Sequence, residues 1–372
     1  MSEPAPPAAP RPLLSTGDHA PWFRARALSG VPDYAFHSAA GRLVALLFMG
    51  SAAWPAVAGA LEQVQRNRGL FDDKGACFFG VSIDPQDEKQ GRIAQSLPGI
   101  RFFMDEDRAV SRLYGALLGK EYQPHWLLLE PTLQVAAAMP LSRTSDFFTL
   151  LQQRLATPAP LDGWAPVLKI PHVLSADFCR DLIAGYEAHG GSPSGFMREK
   201  GGKTVEVVDA GHKQRRDWLI EDKQIQGQIN ARILRVLAPA IQRCFQFEPT
   251  RIERHIVACY EAGAGHFRPH RDDTTKGTAH RRFAVTINLN EDYEGGDLRF
   301  PEFGPRTYRA PPGGAIVFSC SLLHEATPVT RGKRYATLPF LYDEAGARVR
   351  EANRGFVAKG SDYQAVPAGS SS

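Results

Sequence analysis

Residues 156–166, ATPAPLDGWAP, are rich in proline and carry no apolar period. They separate two stretches whose hydrophobic patterns do not belong to one layered architecture, and this change of pattern constrains the fold more than any other feature. Before the joint, apolar runs that read as fully buried strands, Leu43–Phe48 and Cys77–Ile83, alternate with helical segments. Pro55 suits a helix start ahead of Leu61, Val64 and Gln65 at helical spacing. A short helix is expected around Ala109–Tyr114, a third apolar strand over Trp126–Leu129 and a last helix over about Asp146–Leu155. Strands alternating with helices imply an α/β layer with part of its sheet parallel.

After the joint the order changes. Ser175 can cap a helix running through Leu182, and Ile225, Ile229, Leu234, Leu237 and Ile241 mark one face of a longer helix ending near Cys244. From Arg251 onward the pattern is of short alternating strands, with turns at AGAG (Ala262–Gly265), EGG (Glu294–Gly296) and PPGG (Pro311–Gly314), whose glycines are read as turn-formers. Helices followed by strands make an α+β domain whose β part is a sandwich or jelly roll. The expected organisation is a disordered leader at 1–11, an α/β domain at 12–155, the joint at 156–166, an α+β domain at 167–346 and a tail at 347–372.

Size and composition agree: 372 residues exceed one ordinary core, and 43 % hydrophobic with 23 % charged residues describes a globular chain. The net charge of +4 is small and the basic residues are interleaved with acidic ones, which argues against nucleic acid as the main partner. Five scattered cysteines, with no CxxC, suit reduced thiols in an intracellular protein. No apolar run is long enough to span a bilayer and the first residues do not resemble a secretion signal, so a cytoplasmic location and no membrane partner are expected.

The chemistry concentrates in HFRPHRDD, His266–Asp273. On a strand, side chains alternate between faces, so His270 and Asp272 point one way and Arg271 and Asp273 the other. A histidine and a carboxylate two apart can share a metal, and the candidate third ligand is His324 in CSLLHEATPV. Two histidines and one carboxylate leave open positions of the kind that suit non-haem Fe(II) oxygenases. Arg334, ten residues after His324 and beyond a TRGK turn, can hold the distal carboxylate of a dicarboxylic co-substrate, or else form a surface ion pair.

With these residues in view, about 164–345 resembles the prolyl-4-hydroxylase-type family of 2-oxoglutarate and Fe(II)-dependent dioxygenases. The similar pieces are APVLKIPHVLS, YEAGAGHFRPHRDD, FAVTINLNEDYEGGDLRF, APPGGAIVF and LLHEATPVTRGKRYAT, in that order. The resemblance implies a double-stranded β-helix, or jelly roll, with flanking helices. It makes His270, Asp272 and His324 the iron ligands, Arg334 the partner of 2-oxoglutarate, and Tyr260 a hydrogen-bonding partner of that co-substrate, although Tyr260 also suits a core aromatic. It further implies Fe(II), 2-oxoglutarate and O2 as cofactor and co-substrates, with ascorbate as an accessory, and hydroxylation of a peptidyl or small-molecule substrate coupled to formation of succinate and CO2. The polar, basic stretch Gly190–Trp218 corresponds to a mobile wall in that family, so His212, Arg215, Arg216 and Asp217 are candidates for substrate contact, beside the reading of a plain solvated loop. His266 is a candidate neighbour of the pocket rather than a ligand.

The first half, about 12–155, resembles the peroxiredoxin branch of the thioredoxin fold through LLSTGDHAPWF, GRLVALLF, CFFGVSIDP and FFMDEDRAVSRLYG. The peroxidatic cysteine of that family is missing: FMGSAAWPAVAGALE places Val57 near its position. Peroxide reduction needs a thiolate, and the half's only cysteine, Cys77, lies in an expected buried strand, where desolvation suppresses its reactivity. A peroxidase-inactive domain used as a scaffold, an interaction surface or an oligomer contact is therefore expected. The competing reading is a redox or oxygen- and iron-sensing binding protein that works through Cys77.

Overall fold

The computed structural model describes residues 12–28, 30–157, 163–358 and the backbone of 365–367. The expected leader, part of the joint and parts of the tail therefore lie outside the described residues. The chain divides into two compact units, one up to Gly163 together with Pro301–Gly304, the other from Trp164 to Phe300 and from Pro305 onward.

In the first unit a seven-stranded mixed sheet runs in the order Tyr34–Ala35, Arg24–Ala27, Ile100–Met104, Ala76–Ser82, Leu43–Gly50, His125–Leu129, Val135–Pro140. Leu43–Gly50 and Ala76–Ser82 pair in parallel, as do Ala76–Ser82 and Ile100–Met104. Every residue of the two central strands is buried, which is why they read as unbroken apolar runs rather than alternating ones. His125–Leu129 meets the strand expected over Trp126–Leu129 and is buried throughout, whereas Ile100–Met104 and the edge strands were not expected as strands.

Helix Pro55–Arg66 starts at its proline and buries Val57, Ala60 and Val64. Its stripe differs from the expected one, because Gln65 faces solvent and Leu61 is half-buried. Val57 is fully buried in the core, so the position expected for a nucleophile holds a packed methyl-bearing side chain. Cys77 is also buried, and desolvation pushes its thiol up to about 12.

The second unit opens with helix Ala176–His189, capped by Ser175, whose Oγ accepts from the Phe178 N–H. The helix runs past the expected end at Leu182 and stops at Gly190, which takes a left-handed φ of 81°. The next helical stretch joins Lys223–Arg232 and Ala238–Phe245 through a π-turn over Ile233–Leu237. Ile229, Ile233, Leu237 and Ile241 are buried, while Leu234, expected on that face, is 39 % exposed. Steps of four residues drift by about 40° each on a regular helix; the wider π-turn absorbs this drift and keeps the four in line. Pro239 follows the turn, lacking an N–H and crowding the carbonyl four residues back.

Two antiparallel sheets form the β part. The larger one orders Arg216–Leu219, Ile256–Glu261, Lys333–Thr337, Phe283–Asn288 and Phe340–Tyr342, with Ala315–Ser319 also paired to Phe283–Asn288. The smaller orders Lys213–Gln214, His266–His270, His324–Ala326, Leu298–Arg299 and Thr307–Tyr308. Period-two alternation gives the larger sheet two faces: Val257, Cys259, Val285, Ile287 and Tyr335 pack in the cluster that holds the helices. Ile256, Ala258 and Tyr260 join Phe267 and Ala326 of the smaller sheet in a second cluster. The stretch Gly190–Trp218, expected as a loop, contains the hairpin Phe196–Lys200/Lys203–Val207 and two further short strands. Helix Glu344–Ala352 crosses the expected domain end at 346. No helix among the described residues is long and apolar enough to cross a membrane.

Two measurements check this description. Ile233→Ala should cost about 2–5 kcal/mol in denaturant unfolding, and Leu234→Ala less than about 1 kcal/mol; equal losses would contradict the π-turn register. In native protein a thiol reagent should titrate one of the five cysteines, the exposed Cys244, and peptide mapping that instead finds Cys77 modified would contradict its burial.

Candidate metal centre

His270 and His324 lie directly opposite one another in the antiparallel pair of His266–His270 with His324–Ala326. A bulge between Phe267 and His270 shifts the register there, so simple alternation along the strand does not describe the site. The strand in fact ends at His270, and Asp272 reaches the site from the segment beyond it, where its N–H donates to the Cys320 carbonyl at 3.0 Å. The carboxylate then lies between the rings: Oδ1 is 3.6 Å from His270 Nε2 and Oδ2 is 3.3 Å from His324 Nε2. One donor atom from each of the three residues falls within 4.8 Å of the others.

The ring orientations suit a metal. His270 Nδ1 is 2.8 Å from the Arg268 carbonyl and His324 Nδ1 is 3.0 Å from that of Leu322, so each Nδ1 carries the proton and each Nε2 offers its lone pair to the common point. Burial, aided by the neighbouring His324, pushes His270 well below its ordinary range and keeps it neutral. Burial alone would raise the Asp272 carboxyl, but His324 and then His270 hold it well below the usual carboxylate range. Asp273 takes no part in the triad and accepts from the Ser321 hydroxyl. The donor set is thus two imidazole Nε2 atoms and a carboxylate converging on one point, and it fits a divalent metal.

Arg334 stands opposite Tyr260 in the larger sheet, and both side chains line the same cavity of about 360 Å³ as the triad. The guanidinium is 4 % exposed and donates to Thr286 Oγ1 at 2.9 Å and Asn288 Oδ1 at 3.3 Å. Among the described residues no carboxylate pairs with it, so a buried cation faces the cavity with neutral partners only. A surface ion pair, the alternative from sequence, is ruled out by that burial. Gly296, at φ 66°, leaves room for it, since a Cβ there would lie 3.2 Å from Arg334 Cδ.

The remaining candidates separate. Arg215 is buried on the cavity wall, pairs through two nitrogens with Asp217 at 2.6 and 2.7 Å and donates to the Tyr260 hydroxyl at 3.3 Å. Burial would raise the Asp217 carboxyl, yet Arg215 and Lys213 bring it down to about 2. Arg216 is exposed and bonds the carbonyls of Gly190 and Gly191, away from the cavity lining. His212 packs between Phe196 and Phe267, and burial pushes it down to about 4. His266 bonds the Ala264 carbonyl, and neither histidine is part of the cavity lining.

Sequence reasoning passed over Lys213 and Thr286, which line the cavity, and Asn288, which accepts from Arg334. Their signal is alternation: Lys213, Arg215 and Asp217 share one parity, as do Thr286 and Asn288 in FAVTIN. It also passed over Arg281 and Glu253 behind Asp272, where Arg281 donates to the Asp272 carbonyl at 3.3 Å and to Glu253 Oε1 at 2.7 Å. His280 Nε2 meets the other oxygen of Glu253.

Fold and site together define a double-stranded β-helix bearing a two-histidine, one-carboxylate donor group that could hold a metal. Comparison with known proteins agrees: residues 255–342 match the 2OG-Fe(II) oxygenase superfamily, and residues 16–138 match the AhpC/TSA family. The chain thus joins a thioredoxin-like AhpC/TSA domain to a domain of the 2OG-Fe(II) oxygenase superfamily. A PKHD-type hydroxylase of Synechococcus sp. (strain JA-2-3B'a(2-13)) is 31 % identical over 121 residues, which are 30 % of this chain and 54 % of that protein. A PKHD-type hydroxylase of Idiomarina loihiensis is 23 % identical over 179 residues, 46 % of this chain and 75 % of that protein. The first of these matches spans about half the relative's length. A crystal structure of a Pseudomonas putida prolyl-4-hydroxylase aligns with 51 % of this chain and 95 % of its own at 22 % identity, with a TM-score of 0.37.

The buried Glu253 group yields a stability prediction. Burial would raise its carboxyl, but Arg281 and His280 hold it well below the ordinary 4.5. A depressed carboxyl stabilises the fold above its unfolded value and loses that contribution as pH falls through the folded one. Glu253→Gln should therefore cost about 3–5 kcal/mol at neutral pH by stranding Arg281. The gap to wild type should narrow below pH 4.5 in urea unfolding; a gap constant with pH would contradict the assignment.

Proposed function

We propose that the chain is an Fe(II) and 2-oxoglutarate-dependent dioxygenase that hydroxylates a peptidyl or small-molecule substrate. The observation that carries this reading is a single cavity lined by both the His270–Asp272–His324 donor set and the buried Arg334 guanidinium with only neutral partners. When bound, ferrous iron and 2-oxoglutarate supply the chemistry: one O2 oxygen goes into succinate as CO2 is released, the other into the hydroxyl of the substrate.

The side chains divide the work. His270, Asp272 and His324 would hold the metal from one side and leave positions for co-substrate and O2. Arg334 would receive the distal carboxylate of 2-oxoglutarate through a charge-assisted pair, with the Tyr260 hydroxyl as a further hydrogen-bonding partner. Phe267, Phe318 and Leu298 line the same cavity, where apolar surface limits water around the reacting groups. Phe318 meets the His324 ring edge-on at 4.6 Å and limits its rotation. Ascorbate would serve as an external reductant that keeps the metal ferrous. The first domain, with Val57 packed in its core, is read as a peroxidase-inactive scaffold or oligomer contact in a cytoplasmic protein.

Protein supplied with ferrous iron, 2-oxoglutarate and O2 should form succinate, and Asp272→Ala or His324→Ala should abolish it. Arg334→Met should raise the KM for 2-oxoglutarate by at least about tenfold, the worth of one lost charged hydrogen bond. Wild-type protein that binds neither iron nor 2-oxoglutarate would sink the proposal.

A further inference from the structure

The cavity lining carries six lysine or arginine side chains against three carboxylates, Glu206, Asp217 and Asp272. A divalent metal and the dianion of 2-oxoglutarate cancel each other, so loading the site leaves this positive excess standing. Arg215 pairs with Asp217, Arg281 with Glu253, Arg334 is assigned to the co-substrate, and Arg271 and Arg254 donate to the Ser321 and Leu338 carbonyls.

Lys213 has a different environment. Its side chain is 4 % exposed, and Nζ donates to Ser194 Oγ at 2.7 Å and to the Gly195 carbonyl, both neutral oxygens. No ion pair joins it to a carboxylate among the described residues. Ser194 has no capacity left: its hydroxyl donates to Asp217 Oδ2 at 2.6 Å and accepts from Lys213 and from Arg215 Nη2 at 3.1 Å. With Lys213 protonated, the buried set of Lys213, Arg215 and Asp217 carries one positive charge more than its single carboxylate balances. Two further groups act on Lys213, Arg254 and Glu206, and they are of opposite sign.

This charge lies close to the metal centre. Nζ lies over the Phe267 ring at 5.0 Å from its centre, and that ring stacks on His270 at 3.4 Å. A group bound at Lys213 is one aromatic ring away from a metal ligand.

Resting on the dioxygenase reading above, we infer that the primary substrate carries a carboxylate, received by the Lys213 ammonium beside Ser194 and Arg215. A monoanion matches the single excess charge of the set. Burial, the main influence, pushes Lys213 well below its ordinary range, and an arriving carboxylate supplies the countercharge that the protein itself withholds.

The test uses the Fe(II) protein, without O2 and saturated with 2-oxoglutarate, titrated calorimetrically with matched acid and amide pairs. Propanoate is set against propanamide, and N-acetylproline against N-acetylprolinamide. At least one acid should bind about tenfold or more tightly than its amide, as a charge-assisted hydrogen bond requires. Lys213→Gln should remove the preference and Lys213→Arg should retain it. Acids and amides that bind alike in wild type, or not at all, overturn the inference without recourse to any variant, as does a preference that survives in Lys213→Gln. Binding of 2-oxoglutarate is measured first in the same protein; its absence sinks the dioxygenase assignment, whereas its presence without acid preference sinks only this inference.

Discussion

Period-two alternation along the strands of the larger sheet is the constraint on which the second domain depends. Each of these strands serves two environments. In Ile256–Glu261 the odd residues Val257 and Cys259 belong to the core that holds the helices, and the even residues Ile256, Ala258 and Tyr260 belong to the other face. The same division places Val285 and Ile287 in that core while Thr286 and Asn288 hold Arg334. A shift of one residue in Lys333–Thr337 would turn Arg334 into the helix-side core and Tyr335 toward the cavity, so helix packing and site geometry enforce one register. Burial of the apolar face thus positions the polar one, which could not order itself: an isolated buried guanidinium destabilises its surroundings.

The candidate metal donors use a second device, because the chain has left regular strand geometry where they converge. His270 is fixed by cross-strand pairing, His324 by the strand opposite, and the backbone of Asp272 by contacts outside any strand. The Asp272 N–H and carbonyl are each tied, the first to Cys320 and the second to Arg281. Arg281 is anchored in turn by Glu253, whose desolvation is tolerable only because two cationic or hydrogen-bonding partners meet both of its oxygens. The position of the Asp272 carboxylate therefore depends on an ion pair that lies outside the His270–Asp272–His324 group.

How far the sequence disclosed this follows from the range of each interaction. The buried parallel strands and the Ser175 cap were legible because they are local: an unbroken apolar run or a hydroxyl before a helix needs no partner to be recognised. The triad was legible through spacing, although the reason offered, strand alternation through Asp272, does not hold, since the strand ends at His270 and a bulge precedes it. The π-turn at Ile233–Leu237 was not legible, because a fixed helical period assigns Leu234 to the face that the wider turn gives to Ile233. The hairpin Phe196–Lys200/Lys203–Val207 was hidden by its glycines and charges, which read as loop until pairing partners are known. Lys213 was missed for a related reason: only its burial, conferred by Phe267 from another strand, distinguishes it from the solvated lysines around it.

In the first domain the position where the resemblance implies a nucleophilic cysteine is occupied by packing. A reactive thiol at the head of helix Pro55–Arg66 would need solvent access and a stabilised anion; Val57 there is instead enclosed by the core. The segment leading into the helix is fastened by Asp87, fully buried, which accepts from the Ala52 N–H at 2.9 Å, from Ser82 Oγ at 2.6 Å and from Arg92 at 3.2 Å. A carboxylate so enclosed by donors rigidifies the loop it serves. Peroxidase cycling would instead need that loop to yield as a disulfide forms. Packing at Val57 and fastening at Asp87 both favour a rigid body over a redox-active one, consistent with a scaffold role for this half and leaving the reactive groups to the His270–Asp272–His324 cavity.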